Sequence, residues 1–190
     1  ISQYLQMDDA PHKKAALAAI AVLADACSVA MRPHLPQLVS HVLSCFQVPD
    51  KEVYMTACIV INALAENLVP DIIAYHPQVV PVLLAALQSP DPVVQRKGLL
   101  TLEVFVANLR DEIRPYLRTL MERLLALCAT GPLEVRDVAA ATIGSVMEAC
   151  TKDDFAPYAE ATFSVLRPLI HLAGEDEQVA KGRAIESLGL

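Results

Sequence analysis

Five side chains in this 190-residue sequence combine hydrogen-bonding chemistry with regular spacing: Asn62, Glu66 and Asn67, then Glu103 and Asn108. Asn62 and Glu103 stand 41 residues apart, as do Asn67 and Asn108. Extended by the same step, the Asn62 column reads Ala21, Asn62, Glu103, Gly144, and the Glu66 column reads Asp25, Glu66, Ala107, Glu148. Carboxylates attract ammonium groups, and asparagine can donate to or accept from a peptide main chain. The chemistry is therefore capture of an extended basic peptide, with acceptors about one structural repeat apart. A plainer reading stands beside it. Polar residues on the outer half of a helix are commonly just solvated, and Asn67 and Asn108, near helix ends, could satisfy free carbonyls.

Catalytic chemistry finds less support. His12, His34, His41, His76 and His171 are dispersed, without a His-Glu-x-x-His or any pair at metal-ligand spacing. Six glycines form no phosphate-binding loop, and Asp153-Asp154 reads as a cap ahead of a helix rather than an acid–base pair. The cysteines Cys27, Cys45, Cys58, Cys128 and Cys150 are odd in number and widely spaced, with no Cys-x-x-Cys. They read as small buried apolar residues in a reducing compartment. No catalytic residue, metal site or cofactor is expected, and the chain reads as a non-enzyme.

The elements that must position the polar columns share their period. Asp9, Asp50 and Asp91 recur at 41, Ile20, Ile61, Leu102 and Ile143 at 41, and Leu43, Leu84, Leu125 and Leu166 at 41. One unit is a helix A, a polar turn and a helix B, seen best where Ser89-Pro90-Asp91-Pro92 separates an apolar run from Val93-Val94-Gln95. The A helices are expected at about 36–47, 77–88, 116–129 and 158–173, and the B helices at about 11–27, 52–68, 93–109, 134–150 and from 178 onward. On the B helix around Ile61 the apolar stripe is Ile61, Leu64, Ala65 and Leu68, leaving Asn62 and Glu66 together on another face. Ile143 to Leu188 breaks the period at 45, and the turn Glu175-Asp176-Glu177 can absorb the excess as a solvated helix start. A two-helix unit cannot bury both apolar faces alone, so neighbours must stack. The expected fold is an all-α, right-handed α-α superhelix, one solenoid segment over 1–190. Its repeats fall at about 1–27 (partial), 36–68, 77–109, 116–150 and 158–190, within a longer array.

Composition agrees. The chain is 54% hydrophobic with no tryptophan, and the excess is Ala, Leu and Val rather than alternating β-branched residues. The longest apolar run, Ala15 to Met31, is interrupted by Asp25, short of the roughly 20 apolar residues a membrane span needs. The net charge of −7 argues against nucleic acid and for a basic protein partner, if the acidic groups gather on one face.

The turn-plus-helix pattern resembles HEAT repeats, most closely at Leu133-Glu134-Val135-Arg136 with Ala139 to Gly144. In that family a turn Asp and a following Arg link successive repeats through a polar ladder. Here Pro132 replaces the fourth Asp, and the Arg column reads Lys13, Tyr54, Gln95, Arg136. Asn62-Ala63-Leu64-Ala65-Glu66-Asn67-Leu68, Leu102 to Leu109, Arg114-Pro115-Tyr116-Leu117 and Phe155-Ala156-Pro157-Tyr158 look like middle repeats of the importin-β superfamily. Gln95-Arg96-Lys97 and the Asn-Leu ends of two B helices are most similar to the importin-four branch.

The resemblance implies a nuclear transport receptor that shuttles between cytoplasm and nucleus. Such a receptor binds basic nuclear-localisation signals of histones and ribosomal proteins on a concave B-helix face, releases them to Ran-GTP and touches nucleoporins. It implies no direct nucleic-acid or membrane partner. Asn62, Glu66, Asn67, Glu103 and Asn108 would be the cargo-binding residues. The alternative is a HEAT-repeat scaffold or regulatory subunit for protein–protein assembly unrelated to transport.

Overall fold

The computed structural model describes residues 2–5, 7, 9–170, 181–182 and 185–186. Among these the chain is helical throughout, without a strand. The principal helices are α1 (Ala10–Ala26), α2 (Leu35–Cys45), α3 (Lys51–Asn67), α4 (His76–Ala86), α5 (Pro92–Val106), α6 (Arg114–Thr130), α7 (Leu133–Ala149) and α8 (Ala159–Ile170). Single helical turns fill the links from each odd-numbered helix to the next even-numbered one. The expected alternation is present, with α1, α3, α5 and α7 as the B helices. Of the expected B helix from 178 onward only 181–182 and 185–186 are described, and they are helical; the turn at Glu175–Glu177, His171 and Leu188 lie outside the described residues.

Local chemistry explains where these helices start. Asp9 accepts the His12 amide at 2.9 Å, Asp50 accepts those of Glu52 and Val53 at 2.9 Å, and Asp91 accepts that of Val93 at 2.8 Å. Each such N-cap is worth about 1 kcal/mol. The recurring aspartate therefore caps its own helix. At α7 the cap is Pro132, which has no side-chain acceptor.

The column expected to hold the ladder arginine does a similar local job. Lys13 Nζ donates to the Leu5 carbonyl at 2.7 Å, and Gln95 Nε2 donates to the Leu87 carbonyl at 3.2 Å, each reaching eight residues back across the A–B turn. Tyr54 meets the residue eight back through its ring, edge-on to Phe46 at 5.1 Å. Arg136 Nε donates to the Gly131 carbonyl at 2.6 Å. Four different side chains thus clamp four A–B turns. Gly131 has its own reason: a Cβ there would lie 2.5 Å from the Leu127 carbonyl oxygen.

Contacts divide the chain into two compact units, Ile1–Ala85 and Ala86–Leu190. In the first, α1 and α2 both pack on α3; in the second, α5 and α6 pack on α7, and α8 packs on α6. Ile20, Ile61, Leu102 and Ile143 are wholly buried, as the 41-residue column requires. Burying one such side chain is worth about 1.5–3 kcal/mol, so the column is a main source of stacking energy.

Polar ties join successive repeats inside each unit at positions the aspartate column does not mark. In the first unit Lys14 pairs with Glu52, and Arg32 pairs with Asp71 at 2.6 Å. In the second, Arg96 Nε donates to the Glu134 carbonyl at 3.0 Å, and Arg114 Nε donates to Asp154 at 3.0 Å. Lys14 and Arg96, and likewise Glu52 and Glu134, are separated by two repeats. The Arg32–Asp71 and Arg114–Asp154 ties correspond within one residue.

Three local expectations change. Helix α5 stops at Val106, not 109, and the chain tightens into turns as it approaches Arg110, whose φ is +49°. Asp153 and Asp154 lie inside the turn Lys152–Phe155 rather than ahead of it. Thr151 is the cap there, its Oγ1 accepting the Asp154 amide at 3.3 Å. Finally, Cys27 is exposed and Cys150 half-buried, so only Cys45, Cys58 and Cys128 are the buried thiols expected of all five.

Candidate functional site

Helix α3 positions three of the five sequence-selected residues. Its buried stripe of Ile61, Leu64 and Ala65, continued by Leu68 just past its end, fixes the rotation of the helix. That rotation leaves Glu66 exposed, and Asn62 and Asn67 half-buried at the edges of the stripe. Asn62 and Glu66, one turn apart, share a side of the helix, as the spacing predicts. Helix α5 and the turn after it hold the other two, Glu103 and Asn108, both half-buried in the second unit.

The two asparagines near the helix ends have the same geometry. Asn67 Nδ2 donates to the Ala63 carbonyl at 3.0 Å, and Asn108 Nδ2 donates to the Val104 carbonyl at 3.0 Å. Each satisfies a carbonyl of the last helical turn, which is the plainer role. It commits one of the two amide N–H groups and leaves Oδ1, an acceptor suited to a peptide N–H or a lysine ammonium, beside the second N–H.

Asn62 differs. Its Oδ1 is shut off from solvent and accepts no hydrogen bond. A buried acceptor without a donor costs about 1–3 kcal/mol, and rotation toward the exposed side of α3 would let it meet a donor brought from outside.

The surface around these groups is less polar than the spacing of acceptors implies. On α1 Val22 is 67% exposed and Ala18 is exposed beside it, while on α3 Ile59 is 48% exposed. Ala18 and Ile59 hold one repeat position, and Val22 and Ala63 another. Asp25 and Glu66, equivalent and both exposed, lie beyond these apolar positions toward the helix C-termini. The first unit therefore presents apolar contact area bordered by carboxylates. The missed signal was legible: positions 18, 59, 100 and 141 are Ala, Ile, Leu and Ala, although they lie off the buried stripe.

Charge elsewhere is spent internally. Asp154 sits below the usual carboxylate range, held there chiefly by the Thr151 hydroxyl and then by Arg114. Asp9 is lowered too, first by the His12 amide and then by its ring, whose Nδ1 lies 2.6 Å away. Burial pushes the Cys128 thiol up to about 12, which leaves it inert as a nucleophile. Among the described residues no group of His, Cys, Asp or Glu is arranged to hold a metal ion, and no helix is long and apolar enough to cross a membrane.

Comparison with known proteins finds the fold and not the sequence. No family model and no curated protein matches the chain. Among solved structures it is similar to Kap121p bound to Ste12p and to Kap121p bound to Nup53p, each with a TM-score of 0.87 at 24% identity. It is similar also to the karyopherin Kap121p bound to the SUMO protease Ulp1p, with a TM-score of 0.86 at 26% identity. Each match covers 97% of this chain and 18% of Kap121p. The likeness is to a karyopherin HEAT-repeat solenoid of the importin-β family, and the chain spans less than a fifth of it.

Proposed function

We propose that this chain is a segment of a nuclear transport receptor that takes basic peptide signals of cargo proteins on its B-helix face. The observation that carries the reading is the fold match, which extends over 97% of the chain to a karyopherin solved with several different bound proteins. Side-chain chemistry on α3 supports it independently. Glu66 is exposed, the Asn62 oxygen lacks a donor, and Asn67 has Oδ1 left to accept. Asp25 and Glu66 would attract lysine ammonium groups, and Val22 and Ile59 would take apolar side chains between them. Glu103 and Asn108 would offer carboxylate and amide acceptors from the second unit.

In the full-length receptor the cargo would include histones and ribosomal proteins, Ran-GTP would release it, and nucleoporins would be further partners. The protein would shuttle between cytoplasm and nucleus, without enzymatic activity. Placement within the importin-four branch rests on Gln95-Arg96-Lys97 and the Asn67-Leu68 and Asn108-Leu109 ends alone.

A pull-down of lysine-rich histone-tail and ribosomal-protein peptides with the full-length receptor, with and without Ran-GTP, tests the reading. Capture that Ran-GTP abolishes is expected. No capture in either condition would overturn it and favour a HEAT scaffold serving some other assembly.

A further inference from the structure

The links that lead from a B helix to the next A helix differ in chemistry at one repeat position, held by Ser28, Val69, Arg110 and Thr151. Val69 and Arg110 have no hydroxyl, and Ser28 is followed by Val29, Ala30 and Met31. Thr151 alone of the four is a hydroxyl with carboxylates two and three residues on, at Asp153 and Asp154. It is exposed, as are Lys152 and Asp153. Its Oγ1 donates to Asp154 Oδ2 at 2.6 Å, and Arg114 Nε, from the first residue of α6, donates to the same oxygen at 3.0 Å. A hydroxyl and a guanidinium thus converge on one carboxylate oxygen. Arg114 has 53% of its side chain in solvent and its Nη2 3.3 Å from Asp111, so the guanidinium has room to turn.

We propose that Thr151 is a phosphorylation site for a protein kinase that reads acidic residues just after its acceptor, and that Arg114 receives the phosphate. Transfer breaks the Oγ1–H bond of Thr151 and the bond from the γ-phosphorus of a nucleoside triphosphate to its bridging oxygen. The Oγ1–P bond forms, the proton passes to the base of the kinase, and the nucleoside diphosphate leaves. The product carries close to two negative charges and three acceptor oxygens where a hydrogen-bond donor stood. Asp154 then loses the hydroxyl proton and faces an anion, so the two repel where they were joined. Phosphate is the stronger partner for Arg114, because the guanidinium fork matches two of its oxygens. The tie between successive repeats of the second unit passes with it, from an exposed carboxylate pair to a bidentate phosphate pair. The corresponding Arg32–Asp71 tie of the first unit follows Val69-Pro70 and has no such hydroxyl, so the modification singles out one joint. Cargo binding plays no part in it.

A purified acidophilic kinase with ATP, applied to the full-length protein and to a synthetic peptide spanning Met147–Tyr158, tests the site. Mass mapping is expected to find phosphate on Thr151 in both and none there in the Thr151→Ala protein. In the peptide, where no fold is at stake, Asp154→Ala should slow transfer by about tenfold or more, since the acidic side chain steers the acceptor into a basic groove. The part of Arg114 is read with a broad-specificity phosphatase. Loss of phosphate from Thr151 is expected to be about fivefold slower in the wild-type protein than in Arg114→Ala, because the held phosphate must be released before it is cleaved. Arg114→Lys, which keeps the charge without the fork, should fall between them and guards against a fold lost in Arg114→Ala, which thermal midpoints check. Phosphate on the peptide and none on the protein, or none on either, would overturn the site. Equal rates of phosphate loss in the wild-type protein and both Arg114 variants would overturn the role of the arginine.

Discussion

The two compact units solve one joining problem with different chemistry. In the first, the α1–α3 joint is flanked by the Lys14–Glu52 pair, whose glutamate is largely in solvent, and among the described residues every buried one in this unit is apolar. In the second, Arg96 occupies the position of Lys14 but donates to a backbone carbonyl, with its Nη2 3.8 Å from Asp137. Asp137 is buried, and its Oδ1 accepts no hydrogen bond. The first joint would hardly notice losing its charge pair, whereas the second has buried a carboxylate whose compensation depends on one guanidinium. Equivalent positions in a repeat need not have equivalent energetic weight.

Breaking the contrast at its strongest point means removing Arg96. Arg96→Ala should cost about 1–3 kcal/mol in denaturant unfolding, because a buried carboxylate loses its partner. Adding Asp137→Ala should recover much of that, a coupling a double-mutant cycle measures. If Arg96→Ala were silent, the second joint would be no different from the first.

Gly131→Ala comes next, at about 1–3 kcal/mol by overpacking against the Leu127 carbonyl, where the α2–α3 turn of the first unit manages without glycine. Lys14→Ala should leave the unfolding midpoint within error, and a measurable loss would erase the distinction between joints. The pH dependence of stability is graded rather than all-or-none. Asp9 and Asp154, one in each unit, have folded-state pKa values below the ordinary 3.8, so their contribution is present above that value and fades as pH falls through the folded values. At the alkaline side the Cys128 thiol, raised from 9.0 to about 12, stays neutral in the fold while the unfolded chain ionises, so stability declines as pH rises above 9. A pH series of thermal midpoints checks both limbs.

Helix order and the buried columns were legible because 41-residue spacing of Ile20, Ile61, Leu102 and Ile143 encodes burial directly. The Asp9, Asp50 and Asp91 column was legible as a repeat but not as caps, since a turn aspartate can serve its own helix or a neighbour with equal ease. The joint ties were not legible. Lys14 pairs with a residue 38 positions on, not 41, because long side chains lean along the helix, so a strict column search passes over them. Exposure of Val22, Ile59 and Cys27 was hidden for another reason: apolar residues on a helix read as core until the covering element is known. Of the candidate binding residues, type and face were readable for Glu66, whereas the carbonyl bonds of Asn67 and Asn108 depend on local geometry.

The most direct test of the receptor account is the affinity of a fluorescent lysine-rich peptide, measured by anisotropy against the full-length protein and its Asn62→Ala/Glu66→Ala variant at one salt concentration. Losing the Glu66 carboxylate together with the Asn62 acceptor should weaken binding by about tenfold or more, since hydrogen bonds to charged groups contribute roughly 1.5–3 kcal/mol each. Unchanged affinity, with the variant's thermal midpoint preserved, would contradict peptide capture on this face.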